Sequence, residues 1–274
     1  ADRGTLMEAL FGIVFLLGGA LAVGRGLDLA LWTDWSSGLC TVGSVWLRYA
    51  ALGLAVGASV LIGYRLGRSP QELRSRCRPS GTVTLAAGVL FAAAGAARLL
   101  LALTGVGALI RAVLELVCGV WCVMLGRSWL RSGAYRLPGR SMATAVPCTA
   151  IFYWGVLSRF MENSSSWHRA GPTAVVWQML AAVVFLAALV RTLWLPESAN
   201  AGALCAAGLA AFQLCFCWEL PRLLVQLFHG LTAALLPQTL FSAGLCCVGV
   251  LGAFSTARAA RGDAAPADPK HAVG

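Results

Sequence analysis

Charge is what this chain has least of. Asp, Glu, Lys and Arg make up 12% of its 274 residues, against roughly 25% in ordinary soluble domains. Hydrophobic residues make up 59%, and the mean hydropathy is +0.77. That combination excludes a water-soluble globule and a disordered chain alike. Lysine is reduced to Lys270, so the sequence holds no Walker A loop and no ATPase core. Histidine is limited to His168, His229 and His271, without a His-Glu-x-x-His pair or an acidic cluster suited to a divalent metal. A site built from His168, His229 and Glu219 would need two loops to meet. The 10 cysteines include no Cys-x-x-Cys. Cys118, Cys122, Cys215, Cys217, Cys246 and Cys247 fall inside apolar runs, where Cys serves as a small packing residue. Cys40 alone lies plainly in an external loop, so no external disulfide is assigned. Gly57-Ala58-Ser59-Val60 offers a serine but no base to activate it. The loops are too short to hide a soluble catalytic domain. The expectation is a protein that is not an enzyme and needs no cofactor.

Long apolar runs are what the chain does have. A helix needs about 20 mostly apolar residues to cross a hydrocarbon core of roughly 30 Å. Eight runs qualify, at approximately 5–24, 44–64, 81–103, 107–126, 141–160, 172–194, 199–221 and 234–256. None alternates with the period of a barrel strand, so helix is the way each satisfies its own backbone in lipid. The fold class expected is all-α: a polytopic integral membrane protein of eight transmembrane helices. The first run is too long for the core of a signal peptide and reads as a retained helix. Residues 257–274 read as a disordered tail.

The basic residues divide unevenly between the two sides. Arg65, Arg68, Arg74, Arg76 and Arg78 sit in the 2–3 connection, and Arg127, Arg131, Arg136 and Arg140 in the 4–5 connection. Arg3, Arg191, Arg258, Arg261 and Lys270 join them. The other side carries Arg25, Arg48, Arg98, Arg111, Arg159, Arg169 and Arg222. The positive-inside rule makes the first side cytoplasmic, with both termini, in a plasma or bacterial inner membrane. The net charge of +10 then needs no nucleic-acid partner; topogenic arginines near anionic lipid account for it. Trp32, Trp35, Trp46, Trp167 and Trp177 read as the outer interfacial belt, and Trp129 and Trp194 as the inner one. Asn163-Ser164-Ser165 fits a glycosylation sequon on the outer side.

An internal repeat is suggested by the ends of the even-numbered runs. Leu66-Gly67-Arg68-Ser69 after run 2 matches Leu125-Gly126-Arg127-Ser128 after run 4, with weaker echoes at Arg191-Thr192 and Ala257-Arg258. The odd runs carry Arg25, Arg98, Arg159 and Arg222 at their outer ends; the even runs begin with Arg48, Arg111, Gln178 and Gln238. The pattern reads as four tandem helical hairpins, an arrangement used by transporters. Gly53-x-x-x-Gly57, Gly88/Ala92/Ala96 and Ala203/Ala207/Ala211 read as small-residue faces for close helix packing.

Charge within a bilayer costs about 2.5–3.5 kcal/mol per residue even on the lenient insertion scale, so each instance needs a reason. Arg111 and Glu115 stand four apart on one helical face. Arg25/Asp28, Arg159/Glu162 and Glu219/Arg222 each stand three apart. Glu115 is the deepest, about 12 Å below the outer end of its helix. Arg98 has no acid within four residues, so its expected partner is Glu115 on the neighbouring helix. Pro221, beside Glu219 and Arg222, should open the seventh helix and free a carbonyl. These residues suggest an outward-facing polar cavity lined by arginines, including Arg48 and Arg159, with excess positive charge for an anionic or amphipathic small solute. The candidate solute-binding residues are Arg98 as anchor, Arg111 and Glu115 as polar wall, and Glu219 with Arg222 at a kinked gate. The alternative is a non-catalytic accessory protein. Its basic loops 65–78 and 127–140 would contact a membrane or cytoplasmic subunit, or lipid headgroups.

Overall fold

The computed structural model describes residues 3–35, 37–69, 73–101, 104–131, 137, 142–161, 170–195 and 199–261. The chain is all-α and multi-pass. Its helices are α1 (Arg3–Leu31), α2 (Val45–Leu66), α3 (Arg78–Leu101), α4 (Val106–Leu130), α5 (Ala150–Met161), α6 (Gly171–Trp194), α7 (Ala201–Ala211), α8 (Glu219–Phe228) and α9 (Leu236–Arg261). A six-residue π-helical stretch, Phe212–Cys217, joins α7 to α8, so that Ala201–Phe228 forms one composite helix. Seven helices among the described residues are long and apolar enough to cross a membrane.

Local chemistry sets several helix ends. Ser44 Oγ accepts from Trp46 N at the start of α2, and Asn200 Oδ1 accepts from Ala203 N at the start of α7. Each satisfies a donor the first turn cannot. Pro172 occupies the first turn of α6, where a missing N–H costs nothing.

The fifth expected span, 141–160, takes a different form. Two 3₁₀ turns, Met142–Thr144 and Val146–Thr149, precede a 12-residue α5. At 1.5 Å per residue α5 alone reaches only about 18 Å. Pro147 lies within the second 3₁₀ turn and has no N–H to offer an α-helical ladder. At the other end of the chain, α9 runs on to Arg261, so residues 257–261 are helix rather than tail. The rest of the expected tail, the sequon at Asn163, and Glu162, Trp167, His168, Arg169, Arg136, Arg140 and Lys270 lie outside the described residues.

The composite helix Ala201–Phe228 is the most enclosed element and α1 the least. Helices consecutive in the chain pack together at α3 with α4, a close antiparallel pair, at α5 with α6, and at the composite helix with α9, whereas α2 packs chiefly on α7 and α9 also lies against α3.

The α3–α4 contact has a simple basis in sequence. Gly81, Gly88 and Gly95 recur every seven residues, as do Ala112, Gly119 and Gly126. Run antiparallel, they meet in register. A Cβ on Gly81 would stand 3.1 Å from Gly126 O, one on Gly88 2.7 Å from Gly119 O, and one on Gly95 2.7 Å from Ala112 O. Seven residues are close to two helical turns, so the small positions stay on one seam. Backbone meets backbone along that seam, which is how helices gain dispersion contact when lipid supplies no hydrophobic drive. The expected Gly53/Gly57 face is not used this way, because a Cβ on either would meet nothing within 4 Å. The working pair is Gly63 and the C-cap Gly67, ten residues further along. Hypothetical Cβ atoms there would lie 2.5 Å from Ala206 Cα and 2.3 Å from Ala201 C.

The arginine-rich end of the bundle is tied down by its own connection. Trp129 is fully buried and donates from Nε1 to Leu73 O at 2.9 Å, so it belongs to the core and not to an interfacial belt. Arg74 donates from Nε and NH2 to Leu193 O, covering a carbonyl at the C-terminal end of α6. Arg258 donates from NH2 to Ser75 O and Oγ and lies over the Trp129 ring.

Candidate functional site

Three carboxylates, each with an arginine on its own helix, sit at the end of the bundle away from that connection. Asp28 on α1 is buried between Arg25, one turn back, and Arg48 on α2. Arg48 Nε donates to Asp28 Oδ1 at 2.8 Å, and its NH2 to Val42 O at 2.9 Å. Arg25 also lies over the Trp218 ring at 4.4 Å, which shields its charge with π density.

Glu115 is completely buried on α4. Arg98 reaches it from α3 with a two-pronged contact, Nε to Oε2 at 3.1 Å and NH2 to Oε1 at 2.9 Å. Arg111 adds Nε to Oε1 at 3.1 Å and lies over the Phe241 ring on α9. The structure therefore has the Arg98–Glu115 pair expected from the lone charge on α3. The planar guanidinium matches both carboxylate oxygens at once.

Glu219 begins α8 and is 2% exposed. Arg222 NH1 donates to Oε1 at 3.3 Å and Gln178 Nε2 to Oε2 at 2.9 Å. Gln178 on α6 also donates to Leu214 O at 3.0 Å, and the π stretch explains why that carbonyl is available. Trp218 N–H turns to Gln213 O, five residues back, instead of to Leu214 O, four back. The carbonyl so released is taken by Gln178. Pro221, four residues beyond Cys217, has no N–H for the Cys217 carbonyl, and the wide turn lies just upstream of it. The helix opening expected at Pro221 is thus a π stretch one turn earlier, with the freed carbonyl satisfied inside the bundle.

Two adjoining cavities open beside Glu219. The larger, about 350 Å³, lies between α1, α6, α8 and the 33–40 loop. Arg25, Arg159 and Arg222 face it, against Asp34 and Glu219. The smaller, about 220 Å³, runs toward α4 and α5; Arg111, Arg159 and Arg222 face it, against Glu219 alone. Arg159, Gln178, Glu219, Arg222 and Gln238 belong to both walls and so mark their junction. Each wall carries more guanidinium than carboxylate. The loop roofing the larger cavity is ordered by Asp34, which accepts from Ser37 N and Ser37 Oγ. Trp35 stacks on His229 with centroids 5.0 Å apart, joining the α1–α2 loop to the end of α8.

Of the five candidate residues, Arg111, Glu219 and Arg222 face the cavities. Arg98 and Glu115 are not among the lining residues, and neither is Arg48, which is held by Asp28. Sequence reasoning missed Asp34, Ser158, Trp218, Gln226 and Ser242 in these walls. Comparison with protein-family models, with curated proteins and with solved structures gives no match.

Proposed function

We propose that this multi-pass membrane protein is a transport or permease-like protein that takes an anionic small solute into the paired cavities. The observation that carries the reading is the shared wall of Arg159, Gln178, Glu219, Arg222 and Gln238, with Arg111 at the far side of the smaller chamber. Convergent polar groups in a concave, partly apolar site are the usual makings of a small-molecule pocket. The excess of guanidinium favours a carboxylate or phosphate, which a planar fork grips in two places. Arg222 is the principal ligand group in this reading, and Glu219 with Gln178 sets its position. Arg98 and Glu115 hold α3 to α4 and aim Arg111 instead of touching solute. The arginine-rich end faces the cytoplasm by the positive-inside rule, and the cavities face outward across the cell membrane.

The accessory-protein reading loses part of its support. Arg74, in the 65–78 loop, is committed to Leu193 O, so one of its basic side chains is turned onto the protein itself.

Native mass spectrometry of the protein drawn from its own membrane in mild detergent separates the readings. A stoichiometric small anion, lost on Arg222→Gln in a chain that keeps its helical content, is the expected result. A wild-type protein with empty cavities and a co-purifying subunit would overturn the proposal in favour of the accessory role.

A further inference from the structure

A third, separate cavity lies at the arginine-rich end. It is the largest described, about 670 Å³, and runs between the first half of α1 and the last half of α9. Met7, Phe11 and Phe15 recur every four residues on α1 and form one wall. Val250, Phe254 and Ala257 on α9 form the other, with Phe212 from the π stretch behind them. Phe15 and Phe254 remain 52% and 37% exposed, so the groove is open along its side. It exists because α1 packs on α2, α8 and the π stretch, and makes no substantial contact with α9.

Polar groups are confined to one end of this groove. Arg258 and Arg261 stand on the α9 rim, and Glu8 stands on the α1 rim. The helix ends that carry them lie together at the arginine-rich end, where the headgroup layer meets a spanning bundle. An apolar slot open sideways to lipid, with two guanidiniums and one carboxylate at its mouth, complements a particular amphiphile. The tails suit the phenylalanine walls, a phosphate suits Arg258 and Arg261, and an ammonium suits Glu8.

We infer that the α1–α9 groove is a binding site for one aminophospholipid of the leaflet at the arginine-rich end, of the phosphatidylethanolamine type. The site is independent of the solute cavities, since no residue lines both. Arg261 is exposed at the end of α9 and is the cleaner handle on the phosphate, because Arg258 also holds Ser75. Glu8 decides the headgroup. Its carboxylate favours a zwitterionic lipid over phosphatidylglycerol, which has the phosphate without the amine.

The test is native mass spectrometry of the full chain taken through nanodiscs of phosphatidylethanolamine, phosphatidylglycerol and phosphatidylcholine in equal parts. One phosphatidylethanolamine per chain should survive activation that strips the other two. Arg261→Gln should lower that retention about fivefold, on the order expected for one basic residue at the membrane surface. Glu8→Gln should leave total lipid retention in place and turn the preference toward phosphatidylglycerol. A chain that retains no lipid, or retains all three equally, overturns the inference. So does a Glu8→Gln chain with unchanged preference. Retention that appears only after residues 262–274 are deleted also overturns it, by making the chain's own C-terminal segment the occupant.

Discussion

Replacing Glu115 by Gln should weaken the bundle more than replacing Arg98 by Gln, although the two residues share one ion pair. The reason is the arithmetic of what remains. Glu115 is completely buried, and the Arg98 and Arg111 side chains around it are 12% and 31% exposed. Removing the carboxylate charge leaves the largely buried Arg98 and the partly exposed Arg111 without a counter-ion. Removing one partner of a buried pair costs about 3–5 kcal/mol. Removing Arg98 leaves Glu115 paired with Arg111 Nε at 3.1 Å. The loss is then one interhelical polar contact, which in membrane bundles averages about 0.6 kcal/mol and reaches about 1.7. The double variant should fall short of the summed single losses by about 1–3 kcal/mol, because the two groups act on each other. A convenient assay is built into α4. Cys118 and Cys122 are 0% and 3% exposed, one and two turns beyond Glu115. A fluorogenic maleimide reaches these thiols only when the helices part, so labelling against temperature or denaturant reports separation of α4 from its neighbours. Equal destabilisation by Glu115→Gln and Arg98→Gln would refute the reasoning, as would strict additivity in the double variant.

Other substitutions test other parts of the structure. Gly119→Val should disrupt the α3–α4 seam, since a Cβ there already lies 2.6 Å from Ala92 N. Gly53→Val, facing open space, should leave the melting behaviour within about 0.5 kcal/mol of wild type. Gln178→Leu removes the donor to both Leu214 O and Glu219, and should cost about 1–3 kcal/mol by stranding buried acceptors; the same variant should lose the small anion in native mass spectra. Arg74→Gln releases the Leu193 carbonyl, and should speed maleimide labelling of the half-buried Cys77 with little change at Cys118.

The charged pairs were legible because spacing alone decides them. Residues three or four apart share a helical face, and an acid and a base confined to lipid have few other partners. Arg98 could be assigned to Glu115 on similar depth and mutual need. Arg48 could not be assigned to Asp28, because Arg25 already satisfied that acid on paper; only the approach of α1 and α2 gives Asp28 two arginines. Gln178 stood out as a polar residue, but an uncharged amide names no partner, and its two acceptors depend on a carbonyl freed by the π stretch. Hydropathy is blind to residues per turn, so Phe212–Cys217 read as ordinary helix. It is equally blind to continuity, and so gave the fifth run the same weight as the others although Pro147 interrupts it. The glycines show the opposite case. The seven-residue spacing of Gly81, Gly88 and Gly95 against Ala112, Gly119 and Gly126 is visible in the sequence, but the familiar four-residue motif at Gly53 drew the eye first.

The π stretch in the central helix also fixes an angle. A π stretch holds more residues per turn than the α-helix around it, and each residue of an α-helix advances the chain by about 100° and 1.5 Å. Everything after Cys217 is therefore set at an azimuth that an unbroken α-helix from Ala201 would not give it. Were the stretch to lose its one extra residue, α8 would swing by about a quarter of a turn. Glu219 would leave Gln178, and Trp218 would leave Arg25. The chemistry presented to the cavities is in this sense a matter of phase: the same side chains face them or face away according to a single residue of helical register upstream.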